Sequence, residues 1–493
     1  MFYIFRGGKM RMIYHVLTAN LSFTQISILV LIAVLVLISA RSFMRTEVKI
    51  WHIMLCGALA VLALGQISVW DAAKAINYDV IVFLAGAFIV GRALSESGAL
   101  NPYIERFFAD PRTENRFFLI FIAAAGFLSA FLMNDTVAII GTLFAITLSK
   151  RMNISAEILL MTLAFSVTTG SVLSPVGNPQ NLLIALSEGF CGSAAFGGLS
   201  AASNPFVVFG AYLILPTLIS LLLIYPVMKL CYPNFSAGCG GLAAIEGAEG
   251  ACGTKPDSSA TSEVAVVDEK LAKIAKLSLG VLVFMILLKG AASFFNYSEA
   301  VRLPIIAVAA ALPVILFSKR RFEMVAGIDW GTIIFFAAMF VLMQSAWDSG
   351  FIQGLLNLEA ANAAVTGTAA GGLNAVAGTD AAAGSGSIFT SASVIYLLGI
   401  TVSQLVSNVP FVALFLPLMA DSGANAAVYM ALAAGSTLAG NLLIFGAASN
   451  LIIIQNAERY GSTIGFLNFA RVGIPLTVAQ SAVFLLWFLL IGA

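Results

Sequence analysis

Apolar residues fall along this chain in long blocks rather than in alternation. Many blocks reach the ~20 residues that a helix needs to cross a bilayer. Blocks near 21–40, 51–69, 79–98, 204–228, 275–294, 303–318, 329–348 and 472–491 predict ordinary transmembrane helices. The first follows Arg6, Lys9 and Arg11, as a secretory leader would. It is longer than the apolar part of a leader and many spans follow it, so it reads as a transmembrane helix. Two longer blocks, 158–187 and 424–457, are interrupted. TTGSVLSPVGNPQN (168–181) breaks one, and GSTLAGN (435–441) with GAASN (446–450) breaks the other. Proline, glycine and asparagine at that density do not hold a regular helix.

Two segments, 117–149 and 389–419, fit neither description. The first is 33 residues with one charge, Asp135, near its middle, and it is flanked by Arg116 and by Lys150 and Arg151. As one helix it would be roughly 50 Å long, against a hydrocarbon core of about 30 Å, while two crossings need about 40 residues. Basic residues at both ends favour the same cytoplasmic side. A re-entrant hairpin that turns at Met133-Asn134-Asp135-Thr136 meets all three constraints. Non-helical backbone at such depth has to be buried in protein or line a wet cavity.

The two halves of the chain resemble one another. DVIVFLAGAFIVGRALSESG (79–98) matches GTIIFFAAMFVLMQSAWDSG (331–350), with Phe83, Phe88, Ser97 and Gly98 over Phe335, Phe340, Ser349 and Gly350. AFLMNDTVAIIGTLFAI (130–146) matches SQLVSNVPFVALFLPLM (403–419), and PVGNPQNLLI (175–184) matches IFGAASNLII (444–453). Each half then holds five spans and one hairpin. An odd number of spans inverts the second half in the membrane. The expected fold is an all-α polytopic membrane protein of two inverted repeats, each of five transmembrane helices plus one re-entrant hairpin. The repeats cover 21–231 (hairpin 117–149, broken helix 158–187) and 269–493 (hairpin 389–419, broken helix 424–457), after an N-terminal tail, 1–20.

Charge supports that orientation. With 41–50, 99–116, 150–151, 229–276, 319–321 and 459–471 in the cytoplasm, 18 Lys and Arg lie inside and five outside. Residues 232–268 form a flexible cytoplasmic linker between the halves, and 359–387 is a second low-complexity stretch, rich in Ala, Gly, Thr and Ser. Composition agrees with a membrane protein: 60% hydrophobic and 10% charged, with a net charge of +1. No basic cluster dense enough for a nucleic-acid partner exists. The five cysteines (Cys56, Cys191, Cys231, Cys239 and Cys252) make no zinc spacing and no paired framework.

Tips and breaks, brought together at mid-membrane, collect Asn134, Asp135, Thr136, Asn178, Asn181, Ser407, Asn408, Thr437, Asn441, Ser449 and Asn450. Small and singly polar residues often do no more than pack membrane helices. The asparagines recur at corresponding repeat positions, which packing alone does not require. Asp135 has no such counterpart; Val409 takes its place. A carboxylate at the bilayer centre costs about 2.5–3.5 kcal/mol on insertion scales, so an asymmetric charge in a symmetric frame points to a cation or proton site.

These segments resemble the ion transporter superfamily, which includes arsenite permeases, sodium/proton antiporters, citrate–metal permeases and divalent-anion/sodium symporters. FLMNDTVAIIGT and SNVPFVALFLPL resemble its hairpin tips, and SPVGNPQNLLI and STLAGNLLIFGAASNLIII its unwound motifs, within a resemblance covering about 20–491. The resemblance implies Na+ held by Asn134, Asp135, Asn178 and Asn181, a second Na+ held by Ser407, Asn408, Ser449 and Asn450, and an elevator-type homodimer. Met-Asn-Asp at the first tip and Val409-Pro410 at the second depart from the dicarboxylate pattern and lean towards the arsenite, antiporter and citrate-like branch.

The expected function is ion-coupled secondary transport of a small anion, citrate- or dicarboxylate-like or an inorganic oxyanion, across the cytoplasmic (inner) membrane. Na+ or H+ is the coupling ion, no other cofactor is expected, and the bilayer and a second copy are the partners. Arsenite efflux and sodium/proton antiport are the alternatives. A channel would need a continuous polar stripe, and an enzyme a catalytic cluster; His15 and His52 are the only histidines, and no nucleotide loop or HExxH occurs. The topology is testable with single cysteines in a background freed of native ones. Those at 110, 255 and 320 should be shielded from an impermeant thiol reagent in intact cells, and one at 365 should label. Equal access at 110 and 365 would refute the inversion.

Overall fold

A computed structural model describes residues 26–40, 49–99, 114–152, 154–193, 204–233, 268–294, 302–350, 390–458 and 460–492. Among them all regular structure is helical: α1 (Ile26–Ala40), α2 (Ile50–Ala63), α3 (Val69–Ala75), α4 (Tyr78–Ser97), α5 (Glu114–Phe131), α6 (Asn134–Met152), α7 (Ala156–Ser171), α8 (Pro179–Ala185), α9 (Glu188–Gly192), α10 (Pro205–Cys231), α11 (Glu269–Phe294), α12 (Leu303–Phe317), α13 (Arg321–Ala326), α14 (Trp330–Asp348), α15 (Ala392–Val406), α16 (Asn408–Asp421), α17 (Ala426–Leu442), α18 (Ala448–Glu458) and α19 (Phe466–Leu490). By length and composition α4, α10, α11, α14 and α19 can each cross a membrane unaided. The two linker stretches, 232–268 and 359–387, lie largely or wholly outside the described residues.

The chain divides into two compact units. The first contains α1, α2, α3 and α14, with α14 packed on the other three. Ser27 of α1 and Ser345 of α14 share a buried hydroxyl–hydroxyl bond of 2.8 Å, the kind of polar contact that fixes apolar helices to one another in lipid. Helix α3 starts on a Ser68 cap and exposes Val69 and Trp70.

The second unit holds the remaining helices. Here the expected odd segments are helical hairpins. Helices α5 and α6 are separated by Leu132 and Met133 alone, so Asn134, Asp135 and Thr136 form the first turn of α6 rather than a loop. Ser407 alone separates α15 from α16, with φ of 77°. That backbone region favours glycine, and holding serine there costs about 1–3 kcal/mol.

The long blocks are broken as well, but later than their glycines suggest. Helix α7 continues through Thr168–Ser171 and unwinds over 172–178, while α17 continues through Gly435–Asn441 and unwinds over 443–447 around a short 3₁₀ turn, Ile444–Gly446. The glycines inside the helices serve packing. A Cβ on Gly170 would enter the backbone of Gly126 in α5, and one on Gly399 of α15 would lie 2.9 Å from the backbone of Gly435 in α17. Each hairpin therefore lies glycine against glycine on the first part of a broken helix.

The same pairings recur elsewhere in this unit. Helices α5 and α6 pack on α7, and α15 and α16 on α17; α6 also contacts α18, and α16 contacts α8. Helices α10 and α19 pack along each other. Each contains a proline that deprives a carbonyl four residues back of its helical donor. Pro216 frees the Tyr212 carbonyl, which accepts the Trp487 indole N–H at 2.6 Å. Pro475 frees the Arg471 carbonyl, which accepts the Cys231 thiol at 3.4 Å. At the end of α4, Arg92 pairs with Glu96 at 2.6 Å, Glu96 with Arg320 at 3.1 Å, and Arg320 with Glu323 at 2.6 Å. The hydrogen bond that Arg320 donates to Glu323 holds the Arg320 guanidinium above its usual pKa.

Gly170→Ala should destabilise the protein by about 1–3 kcal/mol through overpacking, read as a fall in thermal midpoint in detergent. Gly210→Ala meets nothing within 4 Å and should leave the midpoint unchanged or slightly raised. Equal falls for both would refute the close-contact account.

Candidate functional site

A helix that stops inside a protein leaves its last carbonyls without donors and the next helix's first N–H groups without acceptors. In the first break, Asn178 caps α8 by accepting from the Asn181 N–H at 2.8 Å, and Pro179 occupies a position that needs no N–H. The Asn181 amide reaches back over the gap and donates to the Ser171 and Ser174 carbonyls, both at 3.0 Å. In the second break, the Asn450 amide donates to the Gly440 carbonyl at 2.8 Å. The span from Asn181 to Ser171 and that from Asn450 to Gly440 are both ten residues. The same amide strap closes both gaps.

The first break also meets the second half of the chain. Asn178 donates to the Thr437 hydroxyl at 3.1 Å, Gln180 donates to the same oxygen at 3.4 Å, and Thr437 donates to Asn181 Oδ1 at 3.3 Å. All four residues are buried.

The hairpin turns sit against the breaks. The Asn134 N–H donates to the Gly177 carbonyl at 2.8 Å, and Asn134 Oδ1 accepts from the Asp135 N–H at 2.9 Å. Asp135 thus lies in the first turn of α6, where a helix N-terminus favours negative charge. Its Oδ1 is shut off from solvent and has no hydrogen-bond partner. One turn before Ser407, Gln404 donates to the Ala439 carbonyl near the end of α17. Buried oxygens without partners recur at this side: Asn408 Oδ1, Ser449 Oγ and Asn450 Oδ1.

Two of the expected residues point elsewhere. Thr136 faces α4, where a Cβ on Gly91 would strike its hydroxyl. The Asn441 amide donates to Thr169 at 2.9 Å and to Gln480 at 3.0 Å. Gln180, Gln404, Gln480, Thr169 and Ser171 were not singled out from the sequence. A lone glutamine inside an apolar block, as at Gln404 and Gln480, is the signal that marks them, because an unpaired amide is costly in a membrane.

Chemically, the arrangement offers oxygens and one carboxylate but no cationic side chain among the residues just described. Acceptor oxygens suit a hard cation, and the first turns of α16 and α18 are the helix N-termini at this site that suit an anion, since the N–H groups of Asn134, Asp135 and Thr136 in α6 are already bonded within the protein.

Comparisons with known proteins point to a transporter. A family model described as citrate transporter matches residues 34–429. An uncharacterised transporter of Mycobacterium tuberculosis is 24% identical over 479 residues, covering 93% of this chain and 97% of that protein. The silicon efflux transporter of Oryza sativa subsp. japonica is 26% identical over 478 residues, covering 87% and 90%. The solved structure of the YdaH transporter of Alcanivorax borkumensis shares the fold, with a TM-score of 0.52 at 13% identity over 95% of this chain and 98% of that one. The chain is thus a multi-pass membrane transporter that belongs to the CitMHS citrate transporter family.

Proposed function

We propose that the protein is an ion-coupled secondary transporter of a small anion, built as two inverted repeats that work as an elevator-type homodimer in the cytoplasmic membrane. The observation that carries this reading is the set of buried oxygens without partners at the two hairpin turns and the second break: Asp135 Oδ1, Asn408 Oδ1, Ser449 Oγ and Asn450 Oδ1. A native protein rarely leaves several such atoms unpaired in one region unless a ligand or water completes them. Two Na+ ions, one beside Asn134, Asp135, Asn178 and Asn181 and one beside Ser407, Asn408, Ser449 and Asn450, would supply the missing partners. The anion would sit between, on N-terminal turns of half-helices. The matching glycine contacts, helix pairings and amide straps support the repeat.

Within this reading, Asp135 is the residue through which a proton could replace sodium. The substrate expected from the family is a citrate-like carboxylate. The relative in rice, a silicon efflux transporter, favours as a second reading a small inorganic oxyacid moved outwards. A thiol-based metalloid site gains little support at Cys231: burial pushes its thiol up, away from the thiolate, and it is engaged with the Arg471 carbonyl.

Asp135→Asn keeps the side-chain shape and removes the charge. It should insert normally yet lose coupling, so that initial uptake no longer rises with a sodium or proton gradient. Asn408→Ala should weaken transport without altering its pH profile, because it removes no titratable group. Uptake into proteoliposomes is measured against pH and sodium for a panel of anions, normalised to protein in the membrane. A wild-type ion and pH profile in Asp135→Asn would make the carboxylate structural and end this assignment.

A further inference from the structure

Behind the breaks lies a ring of polar groups that the proposed site does not use. Thr169 is in the last turn of α7, and Asn441 in the last turn of α17. Gln480 sits near the middle of α19 and is fully buried, as are Thr169, Asn441 and Ser220. Asn441 Nδ2 donates to Thr169 Oγ1 at 2.9 Å and to Gln480 Oε1 at 3.0 Å. Gln480 Nε2 donates to Thr169 Oγ1 at 3.0 Å and to the Ser220 carbonyl of α10 at 3.3 Å. One glutamine therefore holds the ends of two broken helices, one from each half of the chain, and a third helix. About two turns earlier, α19 also comes close to the end of α17: a Cβ on Gly473 would lie 3.0 Å from the Leu442 carbonyl oxygen.

We infer that Gln480 is a positioning residue that couples the two ion half-sites. The argument starts from what each helix end carries. Two residues beyond Thr169 is Ser171, which accepts from both Asn178 and Asn181. One residue before Asn441 is Gly440, which accepts from Asn450. A displacement of either helix end shifts the asparagines strapped to it. The ring converts that local shift into a shared one, because each of its three side chains bonds the other two. No member is titratable, so its geometry is independent of pH and survives the ion exchange at Asp135. In lipid no water competes for these bonds, and a ring that is closed in this way holds its members together more firmly than separate pairs would. Filling one half-site then orders the other, which is coupling in the thermodynamic sense. The coupling role rests on the two-half-site reading; the clamp itself does not.

Two measurements on the full-length protein in lipid nanodiscs separate these claims. Gln480→Met keeps length and apolar volume but removes every hydrogen bond of the side chain. Thr477→Val, one turn away on the same helix, is the packing control. Backbone hydrogen exchange should rise by roughly tenfold in both 165–181 and 434–450 for Gln480→Met, and in neither for Thr477→Val. A rise confined to α19, or to one of the two segments, overturns the clamp. For coupling, the probe is sodium chloride against choline chloride, read as protection of Val409→Cys from a thiol reagent in a protein without native cysteines. Asp135→Asn should raise the sodium concentration for half-protection by roughly tenfold, and by less than about twofold once Gln480→Met is added. An equal shift with and without Gln480→Met, or no shift in the parent, overturns the coupling. If sodium protects Val409→Cys in no background, the ion-site reading fails and the coupling role with it, while the exchange result still decides the clamp.

Discussion

Hydrocarbon contains nothing that can bond to a peptide group, so every interruption of a helix inside the membrane has to be closed by the protein itself. That constraint organises the second unit. Asn181 and Asn450 close carbonyls at the breaks, Gln404 adds a donor at Ala439, and Trp487 covers the Tyr212 carbonyl released by Pro216. Most polar side chains in the membrane region thus serve the backbone first. At the turns, Asp135 Oδ1 and Asn408 Oδ1 remain open after this service.

A polar residue in a membrane helix therefore has to be read by its partner, not by its type. Asn441 and Asn450 are both buried asparagines near one break. One amide nitrogen is taken up by a ring that faces α10 and α19, while the other straps the gap; the side-chain oxygens of both are without partners. Thr437 resembles an ordinary packing threonine in sequence, yet it is the residue of the second half that binds both asparagines of the first break.

Hydrophobic blocks marked the helices well, because length and apolarity are what a bilayer demands. Lengths that fit neither one span nor two marked the hairpins, and the asparagines flagged both breaks. Two kinds of detail were not legible. Glycines in 168–171 and 435–441 suggested unwinding, but they mark where helices touch; a missing side chain permits both outcomes, and only the neighbouring helix decides between them. The tip at Asp135 reads as a loop in one dimension, whereas Asn134 starts a helix by handing its N–H to Gly177, 43 positions further on. Ser407 gave no sign that it would adopt a glycine-like conformation. Gln480 has no repeat partner, so the cost of an unpaired amide in an apolar block is the one mark it carries in the sequence, and that cost does not name its partners.

The proline-freed carbonyls also say something about how the chain is made. Tyr212 is synthesised 275 residues before Trp487, and Asn178 appears 259 residues before Thr437. On a ribosome that emits helices one at a time, the first half enters the membrane with these groups still waiting for partners. Its native arrangement cannot be completed until the last helices arrive. Insertion and folding are therefore separate events here, and the first half has to be tolerated by the membrane, or guarded by insertion machinery, through most of the time the second half takes to be translated.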